Sequence, residues 1–104
     1  MTTTRIEALL QLLGQDPSDG TSHYMLGNEY FKAQKYADAV QTLRRYLQLS
    51  DDEGAAYRLL AQSLERLGDP EGVRRAYRDG LAAATRHGHQ PLIDEYTRAL
   101  RVLE

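Results

Sequence analysis

Shifted by 34 residues, the sequence meets itself again. Gly20 falls on Gly54, Leu26 on Leu60, Arg44 on Arg78 and Leu47 on Leu81. Apolar or small partners coincide at Gly27 with Ala61, Tyr30 with Leu64, Ala39 with Val73 and Leu43 with Tyr77. The matches recur at the spacing of helix contacts, and a period of this length with two helices per unit signals stacked helix pairs. No such pair hides its apolar side alone, so neighbours must supply the rest of the core.

Local signals agree with an all-α chain of about six helices. Thr4 with Glu7 has the capping-box spacing, and Ile6, Leu9, Leu10, Leu12 and Leu13 give the first helix its apolar face. Gly14 reads as its stop, and the turn Asp16-Pro17-Ser18-Asp19 leads to a second helix from about Asp19 to Ala33. A third follows from about Tyr36 to Leu49. Ser50 with Glu53 reads as another capping box, opening a fourth helix that ends near Leu67. Gly68-Asp69-Pro70 combines a stop, a cap and a first-turn proline. The fifth helix then runs to about His87, and Pro91 starts a sixth. No segment alternates apolar and polar residues as a strand does. Short loops imply antiparallel neighbours.

With 104 residues, one domain is the default. Thirteen basic and 15 acidic side chains nearly cancel, so the chain has no general attraction for nucleic acid or an anionic membrane. No apolar run is long enough to span a bilayer, and Glu7 and Gln11 interrupt the only early apolar stretch. The absence of cysteine removes disulfides, thiolate chemistry and cysteine metal sites. It fits a reducing compartment, and the expected location is the cytoplasm.

The residues at helix contacts also resemble the tetratricopeptide repeat family. That pattern has an aromatic, then Leu-Gly, a Tyr, an Ala and a Phe. The first unit reads His23, Leu26-Gly27, Tyr30, Tyr36, Ala39 and Leu43; the second reads Tyr57, Leu60-Ala61, Leu64, Val73 and Tyr77. The resemblance implies a right-handed α-solenoid of antiparallel helix pairs, similar to small stand-alone repeat proteins of bacteria. It divides a single domain over 1–104 into an N-terminal half-repeat at 4–14, repeats at 20–53 and 54–87, and a capping helix at 91–104. Three features depart from the pattern. His23 replaces a large apolar residue. Tyr46 and Gly80 stand where alanine is usual, so Tyr46 needs small neighbours, with Ala55 and Ala56 as candidates. Asp94, Glu95 and Arg98 fall where the cap should be apolar.

Four of the eight aromatics lie between His23 and Leu43. On a helix, Leu26, Gly27 and Tyr30 share the apolar face of His23, whereas Tyr24, Asn28 and Phe31 form a separate stripe. The resemblance implies that the first helix of each unit lines a concave groove. Tyr30 and Tyr36 then read as packing, and Tyr24 and Phe31 as binding residues, joined by Lys32. The equivalent stripe on the fourth helix is Arg58, Gln62 and Glu65, with Arg66 beside it. Asn28 and Gln62 offer donor and acceptor to a peptide backbone, Arg58 a fork for a carboxylate, and the rings cover for apolar side chains.

The expected function is a non-enzymatic protein-interaction module holding a short peptide or a partner helix, with no cofactor. The alternatives are self-association through leucines of the first helix or the cap, and RNA or acidic-partner binding through an outer arginine face. That face would hold Arg44, Arg45, Arg74, Arg75 and Arg78, but Glu71 and Asp79 lie among them, as on solvated salt-bridged surfaces. The stretch Gly27–Lys32 is similar to the first-repeat motif of the chaperone-tail carboxylate clamp. The clamp needs a lysine at Tyr24, an asparagine at Leu59 and basic residues in a third repeat, so it is not reproduced. His87 and His89 lack a third metal ligand, and no nucleophile or phosphate-loop motif occurs.

Overall fold

The computed structural model describes residues 4–104. Among these, six helices and no strand form: α1 (Arg5–Gln15), α2 (Gly20–Lys32), α3 (Tyr36–Leu49), α4 (Ala55–Arg66), α5 (Pro70–Arg86) and α6 (Gln90–Val102). They pack as two units, Met1–Asp51 and Asp52–Glu104.

In the first unit α2 packs against both α1 and α3. The expected capping box starts α1: the Thr4 hydroxyl accepts from the Glu7 amide, and the Thr4 amide donates to the Glu7 carboxylate. Helix α1 runs one residue past Gly14, ending when the Asp16 amide donates to the Leu12 carbonyl. The turn that follows is closed by Asp16, whose carboxylate accepts from the amide and hydroxyl of Ser18. Leu26 and Leu43 are buried between these helices' apolar faces. A Cβ on Gly27 would lie 2.8 Å from Leu43 Cδ2, so the missing side chain is what lets α2 and α3 approach. The α2–α3 turn is made by Gln34 in the left-handed region, at φ 61°.

In the second unit α5 packs against both α4 and α6. The fourth helix begins differently from the expectation. Ser50 ends α3, its amide donating to the Tyr46 carbonyl, and Ser50 with Glu53 forms no capping box. Asp52 does that work: its carboxylate accepts from the amides of Gly54 at 2.8 Å and Ala56 at 3.0 Å. Gly54 adopts φ +125°, a conformation costly for any residue with a Cβ, and this turns the chain so that Asp52 reaches the helix start. At Gly68-Asp69-Pro70 the signals hold as written. Gly68 is left-handed, Asp69 accepts from the Gly72 amide, and Pro70 occupies the first turn.

Helix α6 is anchored by Tyr96, which is fully buried. Its hydroxyl donates to the Gly54 carbonyl, and its ring lies 5.6 Å from that of Tyr77. Burial raises the phenol pKa far above its ordinary value, so the hydroxyl keeps its proton and remains a donor. At the other end of α6, Arg74 of α5 donates two hydrogen bonds to the Leu103 carbonyl, at 3.2 and 3.4 Å. A cationic donor at a helix C-terminus meets carbonyls that have no partner within the helix.

Candidate functional site

The α2 stripe is built from aromatic pairs. Tyr24 is half-buried, its ring 5.0 Å from Tyr46 at an interplanar angle of 56°. Phe31 is half-buried too, with its ring 5.4 Å from Tyr36 at 71°. Both geometries match the tilted and edge-to-face arrangements that ring quadrupoles favour. The expected division into packing and binding rings is therefore less sharp than the pattern suggests. Tyr36 packs, but what it packs against is Phe31. Tyr30 also remains half-buried, and burial, then the charge of Asp38, raises its pKa. Tyr46 finds room in this unit beside Gly20, where a Cβ would come within 3.8 Å of its ring.

Between the rings, the Asn28 amide nitrogen donates to the Tyr24 carbonyl at 2.9 Å. One helical turn holds both residues, and the Asn28 side chain keeps its carbonyl oxygen and second N–H for other partners. Lys32 is exposed, 3.9 Å from the Glu29 carboxylate. Glu29 makes a much shorter pair with Arg5 of α1, at 2.6 Å. Lys32 is thus the weaker competitor for that acid.

On α4 the stripe has a different character. Arg58 already holds a carboxylate: its Nε and Nη2 donate to the two oxygens of Glu95 on α6, at 2.6 and 2.7 Å. This is the planar, bidentate geometry that distinguishes arginine from lysine. The hydrogen bond from Arg58 lowers the Glu95 pKa, overriding the upward effect of burial. The charge of Arg98 adds to the lowering. Gln62, Glu65 and Arg66 are exposed. Nearby, burial raises the pKa of Tyr77; Glu65 and Glu95 add to this and Arg58 opposes it.

Sequence reasoning missed Glu95. Its signal was the break in the apolar pattern of the sixth helix, which marked a polar residue without naming its partner. The aromatic pairs were also missed, since Tyr46 stands 22 residues after Tyr24 and Phe31 and Tyr36 lie on different helices. Of the outer arginines, Arg74 is committed to Leu103 and, at 3.5 Å, to Glu71, while Arg75 and Arg78 are exposed. Among the described residues no helix is long and apolar enough to cross a membrane. No three His, Asp or Glu side chains among them gather as metal ligands.

Comparison with known proteins gives the fold a family. A TPR repeat-containing protein of Pseudomonas aeruginosa is 30% identical over 99 residues, covering 95% of this chain and 94% of that protein. The solution structure of a Bordetella parapertussis protein is similar with a TM-score of 0.79 and 29% identity, covering 98% of this chain and 89% of the other. Residues 6–53 and 24–87 match the tetratricopeptide repeat itself. The all-α helical-repeat class read from the 34-residue period is therefore that of its relatives, and the chain belongs to the tetratricopeptide repeat family.

Proposed function

We propose that the chain is a non-enzymatic protein-interaction module: the α2 stripe of the first unit holds a short peptide or partner helix, and the α4 stripe of the second unit is a contact surface in its own right. Membership of a family of protein-interaction scaffolds supports the general reading. The observation that carries the specific one is the pair of braced rings on α2. Tyr24 and Phe31 stand seven residues apart, about 10 Å along a helix. A polyproline-type peptide repeats the same side at about 9 Å, and a helical partner at about 10 Å every seven residues. Asn28 lies between the rings, positioned to bond a passing backbone. Each ring leans on a second ring, so little freedom is lost on binding.

The test is affinity capture from the source cell with wild type and a Tyr24→Ala, Asn28→Ala double variant, compared by mass spectrometry. At least one protein should be lost from the variant. The loss of the Tyr24–Tyr46 ring pair should cost about 1 kcal/mol of stability beyond the area that Tyr24 buries. Identical captured sets would remove the stripe as a binding site, and an unfolded variant would make these residues structural.

A second reading is favoured by one observation. Leu10 and Leu12 of α1 are about half exposed, at 48% and 51%. The two leucines point to different sides of α1, and each leaves apolar surface in water that a second copy would cover. Light scattering over a concentration series separates the readings, because a strict monomer at high concentration leaves only the first.

A further inference from the structure

The second unit contains a shallow apolar groove at the edge where α4 ends, α5 begins and α6 ends. Pro70, Val73 and Leu103 are its apolar lining residues, and Gly68, Glu65 and Asp69 line it as well. Two exposed apolar side chains adjoin it in sequence: Leu67 precedes Gly68, and Val102, 84% exposed, precedes Leu103. Only Glu65 belongs to the α4 stripe.

We propose that this groove is a second docking surface, for a partner segment with one aliphatic anchor flanked by lysine or arginine. The lining surface is mostly apolar, and the charged residues in it, Glu65 and Asp69, are both acidic. Asp69 uses one carboxylate oxygen to cap α5, which leaves the other as an acceptor. Glu65 is exposed. The neighbouring cation Arg74 is engaged by the Leu103 carbonyl and Glu71 rather than by Glu65 or Asp69. Arg66 and Arg101 are close in sequence but do not line the groove. An aliphatic side chain removes the lining from water while its basic neighbours meet Glu65 and Asp69. An acidic segment would meet like charge. The Arg74 hydrogen bonds fix the end of α6, so the groove is formed before the partner arrives.

The probe is a capped pentapeptide with one leucine flanked on each side by two lysines, with the peptide that has glutamate in place of lysine as its counterpart. Titration into isotope-labelled protein should give saturable amide shifts at Gly68, Val73 and Leu103, weakening as salt rises. The glutamate peptide should give none. Glu65→Lys and Leu103→Lys should each weaken binding about threefold or more, the scale of an exposed charge interaction. The Leu103 change leaves its backbone carbonyl available to Arg74, and unchanged melting would show that both variants fold. The Tyr24→Ala, Asn28→Ala variant should bind the lysine peptide as wild type does, which separates this surface from the α2 stripe. Shifts confined to α2, equal binding of both peptides, or groove shifts that follow protein concentration without peptide would each overturn the proposal. The last result would identify the occupant as a second copy of the chain.

Discussion

Replacing Gly80 with alanine opposes two effects of similar size. Alanine in a helix interior is favoured over glycine by about 1 kcal/mol, and the family commonly places alanine here. Against this stands the space available. A Cβ on Gly80 would lie 2.8 Å from Tyr57 Cβ, 2.8 Å from Tyr96 Cε2 and 3.1 Å from Tyr96 Cδ2. Carbon atoms prefer about 3.5–4.0 Å, so two contacts are severely compressed. Neither neighbour yields easily. Tyr57 Cβ is one bond from the α4 backbone, and the Tyr96 ring is fully buried, packed on Tyr77 and tied to the Gly54 carbonyl. Overpacking of this kind costs about 1–3 kcal/mol, and rigid neighbours place it in the upper half of that range. The expected net loss is about 1–2 kcal/mol, or roughly 5–15 °C in Tm for a chain of this size. Thermal and urea unfolding followed by far-ultraviolet circular dichroism measures it. In a Tyr96→Leu background the ring contacts disappear and the same change should cost less. A Tm equal to or above wild type, or an identical cost in both backgrounds, would refute the packing argument.

Two further changes probe the second unit. Asp52→Ala should cost about 1–2 kcal/mol by removing the acceptor for two amides at the start of α4, while Ser50→Ala should cost less than about 0.5 kcal/mol; urea midpoints compare them, and the reverse order would restore the Ser50 cap. Glu95→Gln should cost at most about 1 kcal/mol at neutral pH, because Arg58 and Glu95 keep 43% and 35% of their side-chain surface in water. The folded Glu95 pKa lies below its unfolded value, so the pair's contribution is complete above the unfolded pKa and disappears as pH falls through the folded one. The wild-type advantage in Tm should therefore shrink in acid and with added salt, and an advantage that grew in acid would contradict the assignment.

The parts of the fold that were legible depend on residues with few conformational choices. Gly68-Asp69-Pro70 and the Thr4–Glu7 box each fix a boundary through their own backbone preferences, and the structure places both where the sequence did. Ser50 and Glu53 carry the same spacing as Thr4 and Glu7, yet no box forms. A capping box needs its first residue at the helix start, and the turn at Gly54 puts that start four residues later. Gln34 was harder still, since a glutamine in the left-handed region carries no signature of its own. The stripes were legible as faces because helical geometry alone assigns them. Their present partners were not, because Glu95 meets Arg58 across 37 residues of chain.

That long-range pair changes how the α4 stripe must act in the proposed function. A guanidinium in water loses hydration when it grips a partner's carboxylate, and the bond formed offsets that loss. Arg58 has already exchanged part of its hydration for Glu95, so an incoming carboxylate must break two short hydrogen bonds before it makes any. The net gain from such an exchange is close to zero, since one bidentate pair replaces another. Affinity must then come mainly from surface that is still partly wet and already ordered, which on the stripes means Tyr24 and Phe31. In the proposed function Arg58 and Glu95 act instead on selectivity: they present one balanced pair, and a partner that brings an unmatched charge leaves one of the two without a counter-ion. Within the proposed function, then, the rings on α2 supply the hold of the first unit, and the ion pair beside α4 penalises an unmatched charge at the second.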